Sequence, residues 1–253
     1  PLYFVAIACV INIGLDLLLV AKYGMGAGGA AIATVISQAV SMILCVIYLK
    51  KNGFIFDFKP SSFKFYKDRF DLLLKIGIPT SAQNAIVSMS FLFLTALANT
   101  FGVSASAAVG AVSKLNSFAI LPTVAVSASV SAMSAQNIGA RQIRRAVQTL
   151  KTGIVFSLGI SFVIFLVMRI FPEECLSMFG EDKEMIERGV EYLSAISYDY
   201  ILVPFVFCMN GLFIGAGHTK FSFINSASAS LFIRIPACYF LGIFLNKGLY
   251  GLG

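Results

Sequence analysis

Charge is what this sequence has least of. Only 12% of its 253 residues are Asp, Glu, Lys or Arg, about half the ~25% usual in soluble domains, and that scarcity excludes an ordinary soluble globular chain. Histidine is nearly missing: His218 stands alone. The five cysteines (Cys9, Cys45, Cys175, Cys208 and Cys238) are scattered, with no CxxC and no Cys/His cluster. A disulfide framework or a structural metal site would need such clusters, so the cysteines read as small buried hydrophobes. No signal peptide is identifiable. The chain starts at Pro1 inside an apolar run and stops at GLYGLG, and it is expected to be a fragment of a longer protein.

What is present in quantity is apolar surface. Hydrophobic residues make up 58% of the chain, with 24 Phe, and the mean hydropathy is +0.87. No soluble core of this chain length hides so much, whereas a bilayer does. A helix crossing a hydrocarbon core of ~30 Å needs roughly 20 apolar residues. Seven segments meet that requirement: about 2–21, 28–49, 77–100, 104–136, 148–171, 190–215 and 221–245. The chain is therefore expected to be an all-α polytopic membrane protein. Pro122, in the middle of the long fourth segment, predicts a kink or break. From Ser61 the connector before the third segment interleaves Phe63, Phe65, Phe70, Leu73 and Leu74 with charges, which fits an amphipathic helix lying on the membrane surface and linking two halves, or an ordinary charged connector.

Charge placement sets an orientation. If the chain begins on the cytoplasmic side, the basic clusters at 50–75 and 141–151, with Lys220, all fall inside. The acidic stretch PEECLSMFGEDKEMIERGVE (172–191) falls outside. The positive-inside rule favours that arrangement, with loops 50–76, 138–151 and 216–220 in the cytoplasm. The net charge of +7 then faces anionic lipid, and no nucleic-acid partner is needed to explain it.

One motif misleads. Gly24, Gly26 and Gly29 spell G-x-G-x-x-G, the dinucleotide-binding pattern, which works only between a short strand and a helix with an acid about 20 residues on. Here some 20 apolar residues come first and no acid follows until Asp57. A tight interhelical turn with a small-residue packing face explains the glycines better. A similar run, KGLYGLG, ends the chain at 247–253, a weak echo of the kind two similar helical lobes would leave.

Asp16 is costly, at roughly 2.5–3.5 kcal/mol for a carboxylate at a helix centre in a bilayer. Asn12 lies one helical turn before it, and Thr34 falls at a similar depth on the next helix if the two are antiparallel. Such a set suits Na⁺ or a protonatable acid, and it equally suits a simple interhelical polar clasp. Lys114 and Asp199 each lie about 10 residues from the outer end of their helices, roughly 15 Å deep, so an ion pair between them is expected. Gln83, Asn84 and Asn116 are candidates for lining a polar cavity or for gluing helices together. Arg234, mid-helix, is open to a structural or a substrate role.

The run from Asn12 to Asp16, followed by GMGAGGAAIATVISQ, resembles the fifth and sixth helices of the multidrug and toxic compound extrusion (MATE) family. KIGIPTSAQN (75–84) is similar to the start of its seventh helix. AVSKLNSFAILP (111–122) and SAQNIGARQIRRA (134–146) resemble the eighth helix and the loop after it. GLFIGAGHTKFSF (211–223) and RIPACYF (234–240) resemble the tenth-to-eleventh region. The likeness implies helices five to eleven of a twelve-helix, two-lobe bundle. Residues 1–50 would close the N-terminal lobe, 51–75 would link the lobes, and 76–253 would be most of the C-terminal lobe.

The resemblance also implies a function. Many members carry a cation or proton site built from an Asn and an Asp on helix five, a Thr on helix six and an Asp on helix one. The first three match Asn12, Asp16 and Thr34. One branch uses acids on helices seven and ten, and the matching stretches here, AQNAIVSMSF and ILVPFVFCMNG, contain none. The implied activity is secondary active export of amphipathic, often cationic, organic compounds from the cell. It would run against Na⁺ or H⁺ in a monomer embedded in membrane lipid, without enzymatic chemistry or a cofactor. The alternatives are a flippase for lipid-linked saccharide or peptidoglycan precursors, which predicts a more basic cavity, and a structural subunit.

Overall fold

A computed structural model describes residues 2–51, 65–245 and 248–253, and every regular element among them is helical. The chain divides into two compact units, Pro1–Lys67 and Asp68–Gly253.

The first unit is a hairpin. Helix α1 (Leu2–Asp16) passes straight into a π-helical turn over Leu17–Lys22, and α2 (Gly26–Lys51) returns against α1. The wider winding shows in Tyr23 N–H, which donates to the Leu18 carbonyl five residues back at 3.1 Å. Gly24 and Gly26 then take φ of +65° and +55°, a left-handed conformation that costs glycine nothing. Gly29 is buried, and a Cβ there would sit 2.9 Å from that of Met25. The motif is thus a turn between spans. At the open end of the hairpin, Phe4 meets Tyr48 edge to face with ring centroids 5.4 Å apart.

The second unit begins with two long helices, α3 (Lys67–Asn99) and α4 (Val103–Gly139), followed by α5 (Ile143–Ile170) and the short α6 (Pro172–Ser177). Then come α7 (Lys183–Ile196), α8 (Asp199–Gly215) and α9 (Thr219–Ser228). A π-helical turn over Ala229–Arg234, α10 (Ile235–Tyr239) and a second π-helical stretch, Phe240–Phe244, complete it. Helices α4, α5 and α8 pack pairwise on one another, and α7 also packs on α4. Small residues permit this. A Cβ on Gly211 would lie 2.5 Å from the Ser127 carbonyl oxygen, and one on Gly153 would lie 2.5 Å from the Val130 side chain. The apolar core gathers Leu94, Val109, Val112, Leu176, Tyr192 and Leu193.

Among the described residues six helices are long and apolar enough to span a bilayer, and α7 with α8 make a seventh span bent by 50°. That agrees with the seven expected segments and with a polytopic all-α protein. Three expectations change. Of the kink or break expected at Pro122, the break does not occur, because α4 runs through it as one helix; proline costs one backbone bond, which packing on α5 and α8 offsets. The surface helix expected from Ser61 is not a separate element in its described part, since Phe70, Leu73 and Leu74 belong to α3; Phe63 lies outside the described residues. Asp199 is not mid-helix but opens α8 at the bend. There the backbone tightens, Tyr200 N–H reaching the Ser197 carbonyl at 3.2 Å and Ile201 N–H that of Tyr198 at 3.2 Å. Pro204, inside α8, has no N–H to offer the Tyr200 carbonyl.

The glycine echo has a structural counterpart. Leu245 N–H donates to the Phe240 carbonyl at 3.0 Å, again five residues back, before Gly248 turns the chain at φ +56°. Both glycine turns follow a π-helical stretch.

Candidate functional site

In the first unit, Asn12 and Asp16 lie one turn apart on α1, both half-buried. Asn12 Nδ2 and Asp16 Oδ1 are buried atoms with no hydrogen-bond partner, and each orphan of this kind costs about 1–3 kcal/mol. Asp16 is also the last α-helical residue before the π-helical turn, and such turns concentrate at functional sites. Thr34 is exposed, and its hydroxyl donates to the Ala30 carbonyl of its own helix at 2.9 Å. The structure thus pairs Asn12 with Asp16 on one face and leaves Thr34 unbonded to either. With a single carboxylate the site suits a monovalent ion or a proton. Among the described residues no cluster of three or more His, Cys, Asp or Glu could hold a metal.

In the second unit Gln83 is buried at the centre of a clasp joining three helices. Its Nε2 donates to Ser226 Oγ on α9 at 2.8 Å. Ser222 Oγ, also on α9, lies 3.0 Å from Gln83 Oε1 and 2.9 Å from Asn210 Oδ1 on α8. Asn84 is exposed beside it, and Asn116 is half-buried on α4. The sequence reading missed Asn210, Ser222 and Ser226; the signal was the i, i+4 spacing of the two serines on one helix face. A second polar seam is wholly buried, with Thr123 Oγ1 3.2 Å from both Ser157 Oγ and Ser161 Oγ between α4 and α5.

The expected Lys114–Asp199 pair is not formed. Lys114 sits on the exposed face of α4, whereas Val112 and Leu115 point into the core. Equal depth fixed neither residue's direction around its helix. Arg234 ends a π-helical turn, and its guanidinium stands 4.6 Å over the Phe91 ring, with Nη1 3.5 Å from Ser90 Oγ. Outside the spans, burial first and Glu174 second push the Cys175 thiol above its ordinary value, which favours the thiol over the thiolate.

Comparison with known proteins agrees with this architecture. The probable multidrug resistance protein YoeA of Bacillus subtilis is 27% identical over 259 residues, covering 100% of this chain and 56% of that protein. An FAD transporter of Shewanella oneidensis is 27% identical over 220 residues, covering 83% of this chain and 48% of its own length. The solved structure of a MOP superfamily transporter from Pyrococcus furiosus superposes with a TM-score of 0.91 at 19% identity, over 99% of this chain and 56% of that one. The chain thus spans about half the length of the relatives it matches. The MatE family profile matches residues 79–240, more than half of the chain, so this multi-pass membrane protein belongs to the MatE family.

Proposed function

We propose that the full-length protein is a secondary active multidrug exporter in which Asn12 and Asp16 hold the coupling ion. The observation that carries this reading is the pair of unpartnered buried polar atoms one turn apart, Asn12 Nδ2 and Asp16 Oδ1. In the ion-free state Asp16 is a charge in low dielectric. A proton or Na⁺ neutralises it, and the stabilisation differs between conformations, which is what an ion-driven population shift requires. Thr34 can join the site while its hydroxyl donates to the Ala30 carbonyl, because its oxygen lone pairs remain free. The acid that the family supplies from helix one lies outside this sequence. The substrates are amphipathic organic compounds, and the basic loops face the cytoplasm.

The test is drug efflux by the full-length protein in vesicles with Na⁺ and pH gradients imposed separately. Asp16→Asn should lower gradient-driven efflux by roughly tenfold or more, with drug binding in the absence of a gradient retained. Coupled transport at the wild-type rate would defeat the assignment.

A second reading concerns substrate charge. Lys114 is exposed on a membrane-spanning helix with no ion pair among the described residues, and the relative from Shewanella oneidensis is named as an FAD transporter. Both favour an anionic amphiphile over a cationic one. Competition for transport between matched anionic and cationic dyes decides between them: block by the anionic dye alone selects the anionic substrate, and block by the cationic dye alone rejects it.

A further inference from the structure

A cavity of about 620 Å³ runs between α4 and α5, beginning where the Thr123–Ser157–Ser161 seam ends and sharing no residue with the sites above. Its α4 wall extends from Ala125 to Asn137 and its α5 wall from Arg145 to Phe156. At 1.5 Å per residue these walls are ~18 and ~16 Å long, close to the ~15 Å of hydrocarbon in one leaflet. Both helices qualify as membrane spans, so the groove lies where acyl chains are available. Its two ends differ in chemistry. Near the α4–α5 turn Asn137, Arg145, Gln148 and Thr149 supply polar groups, whereas Met133, Val126 and Phe156 make the rest mostly apolar, with the hydroxyls of Ser129 and Thr152 between them.

The charge at the polar end has one sign. Arg145 lines the groove, Arg141, Arg144 and Lys151 flank it in sequence, and neither α4 nor α5 contains an acid. Arg145 Nη1 donates to Gln142 Oε1 at 3.0 Å. The guanidinium makes no ion pair among the described residues and keeps donors to spare. An amphipathic cation would be repelled here. A molecule with an anionic head and a chain of one leaflet's length fits both ends.

We propose that this groove holds one anionic phospholipid, its phosphate on Arg145 and an acyl chain along Val126, Met133 and Phe156. Basic pockets between spans on the cytoplasmic side bind anionic headgroups by the same physics. The α4–α5 turn is basic, so the lipid comes from the cytoplasmic leaflet. Binding here is independent of the ion site at Asp16, and its failure would leave the transport reading untouched.

The experiment is native mass spectrometry of the full-length protein with dioleoylphosphatidylglycerol and dioleoylphosphatidylcholine added separately. Wild type should retain phosphatidylglycerol in preference to phosphatidylcholine. Arg145→Gln should weaken phosphatidylglycerol binding about tenfold, with Arg145→Lys recovering part of it. Ser129→Phe, which fills the groove from the α4 wall, should remove the bound lipid, as should Thr152→Phe from the α5 wall if the first variant does not accumulate. Lys220→Gln, a basic residue elsewhere, should bind as wild type does. Equal retention of the two lipids by wild type overturns the proposal. So does undiminished phosphatidylglycerol binding in either Arg145→Gln or the groove-filling variant.

Discussion

Arg234 is held in place by contacts that depend on its planar head. Its guanidinium stacks on Phe91 and its Nη1 faces Ser90 Oγ. Arg234→Met removes both contacts. It is expected to cost about 1–2 kcal/mol, read as a lower Tm of the purified protein in detergent. An unchanged Tm would show that these contacts do not stabilise the fold. Gln83→Leu tests the neighbouring clasp. It deprives Ser222 of one acceptor and Ser226 of its donor, and interhelical bonds of this kind contribute roughly 0.6–2 kcal/mol in membranes. The Tm should fall modestly, and a rise would mean that the clasp is a burden tolerated for function.

The next scale is the fit between helices. Gly211 on α8 approaches the backbone of Ser127 on α4, and a carbonyl cannot yield as a flexible side chain can. Gly211→Ala should therefore cost about 1–3 kcal/mol by overpacking, whereas Gly159→Ala on α5, where a Cβ meets nothing within 4 Å, should be neutral or slightly stabilising. Equal Tm shifts in the two variants would refute the close α4–α8 approach. This contact also marks where the sequence stops being informative. The spans were legible because hydropathy sums along a segment, and the glycine turn because only such a turn fits between two spans. The bend at Asp199 was not legible, since a hydropathy window averages over the two residues where the backbone tightens. Depth along a helix follows from counting residues, and direction around it does not. For that reason Lys114 and Asp199 looked like partners, and for the same reason Asn12 and Asp16, one turn apart on a single helix, could be placed on one face without any tertiary knowledge.

At the scale of the whole molecule, the two glycine turns give a way to lay one unit on the other. With Tyr23 set on Leu245 and Leu18 on Phe240, the donor and acceptor of matching i to i−5 bonds, Asn12 falls on Arg234 and Asp16 on Cys238. Where the first unit carries an amide and an acid with unpartnered atoms, the second carries a guanidinium stacked on an aromatic ring and a thiol. In the proposed mechanism a fixed guanidinium cannot be exchanged as a bound ion is, which leaves coupling to the first unit. That asymmetry has a direction only if the protein has one orientation in the membrane. Helix α5 is 28 residues long, about 42 Å, so the Arg141–Arg145 cluster and the acidic α6–α7 region lie on opposite sides of a ~30 Å core. The positive-inside rule predicts that the basic side is the cytoplasmic one. In the full-length protein with its native cysteines replaced, Glu181→Cys should react with a membrane-impermeant maleimide on intact cells. Gln142→Cys should react only after permeabilisation. The reverse pattern would invert the topology, placing the groove lipid in the outer leaflet and the turn next to Asp16 inside the cell.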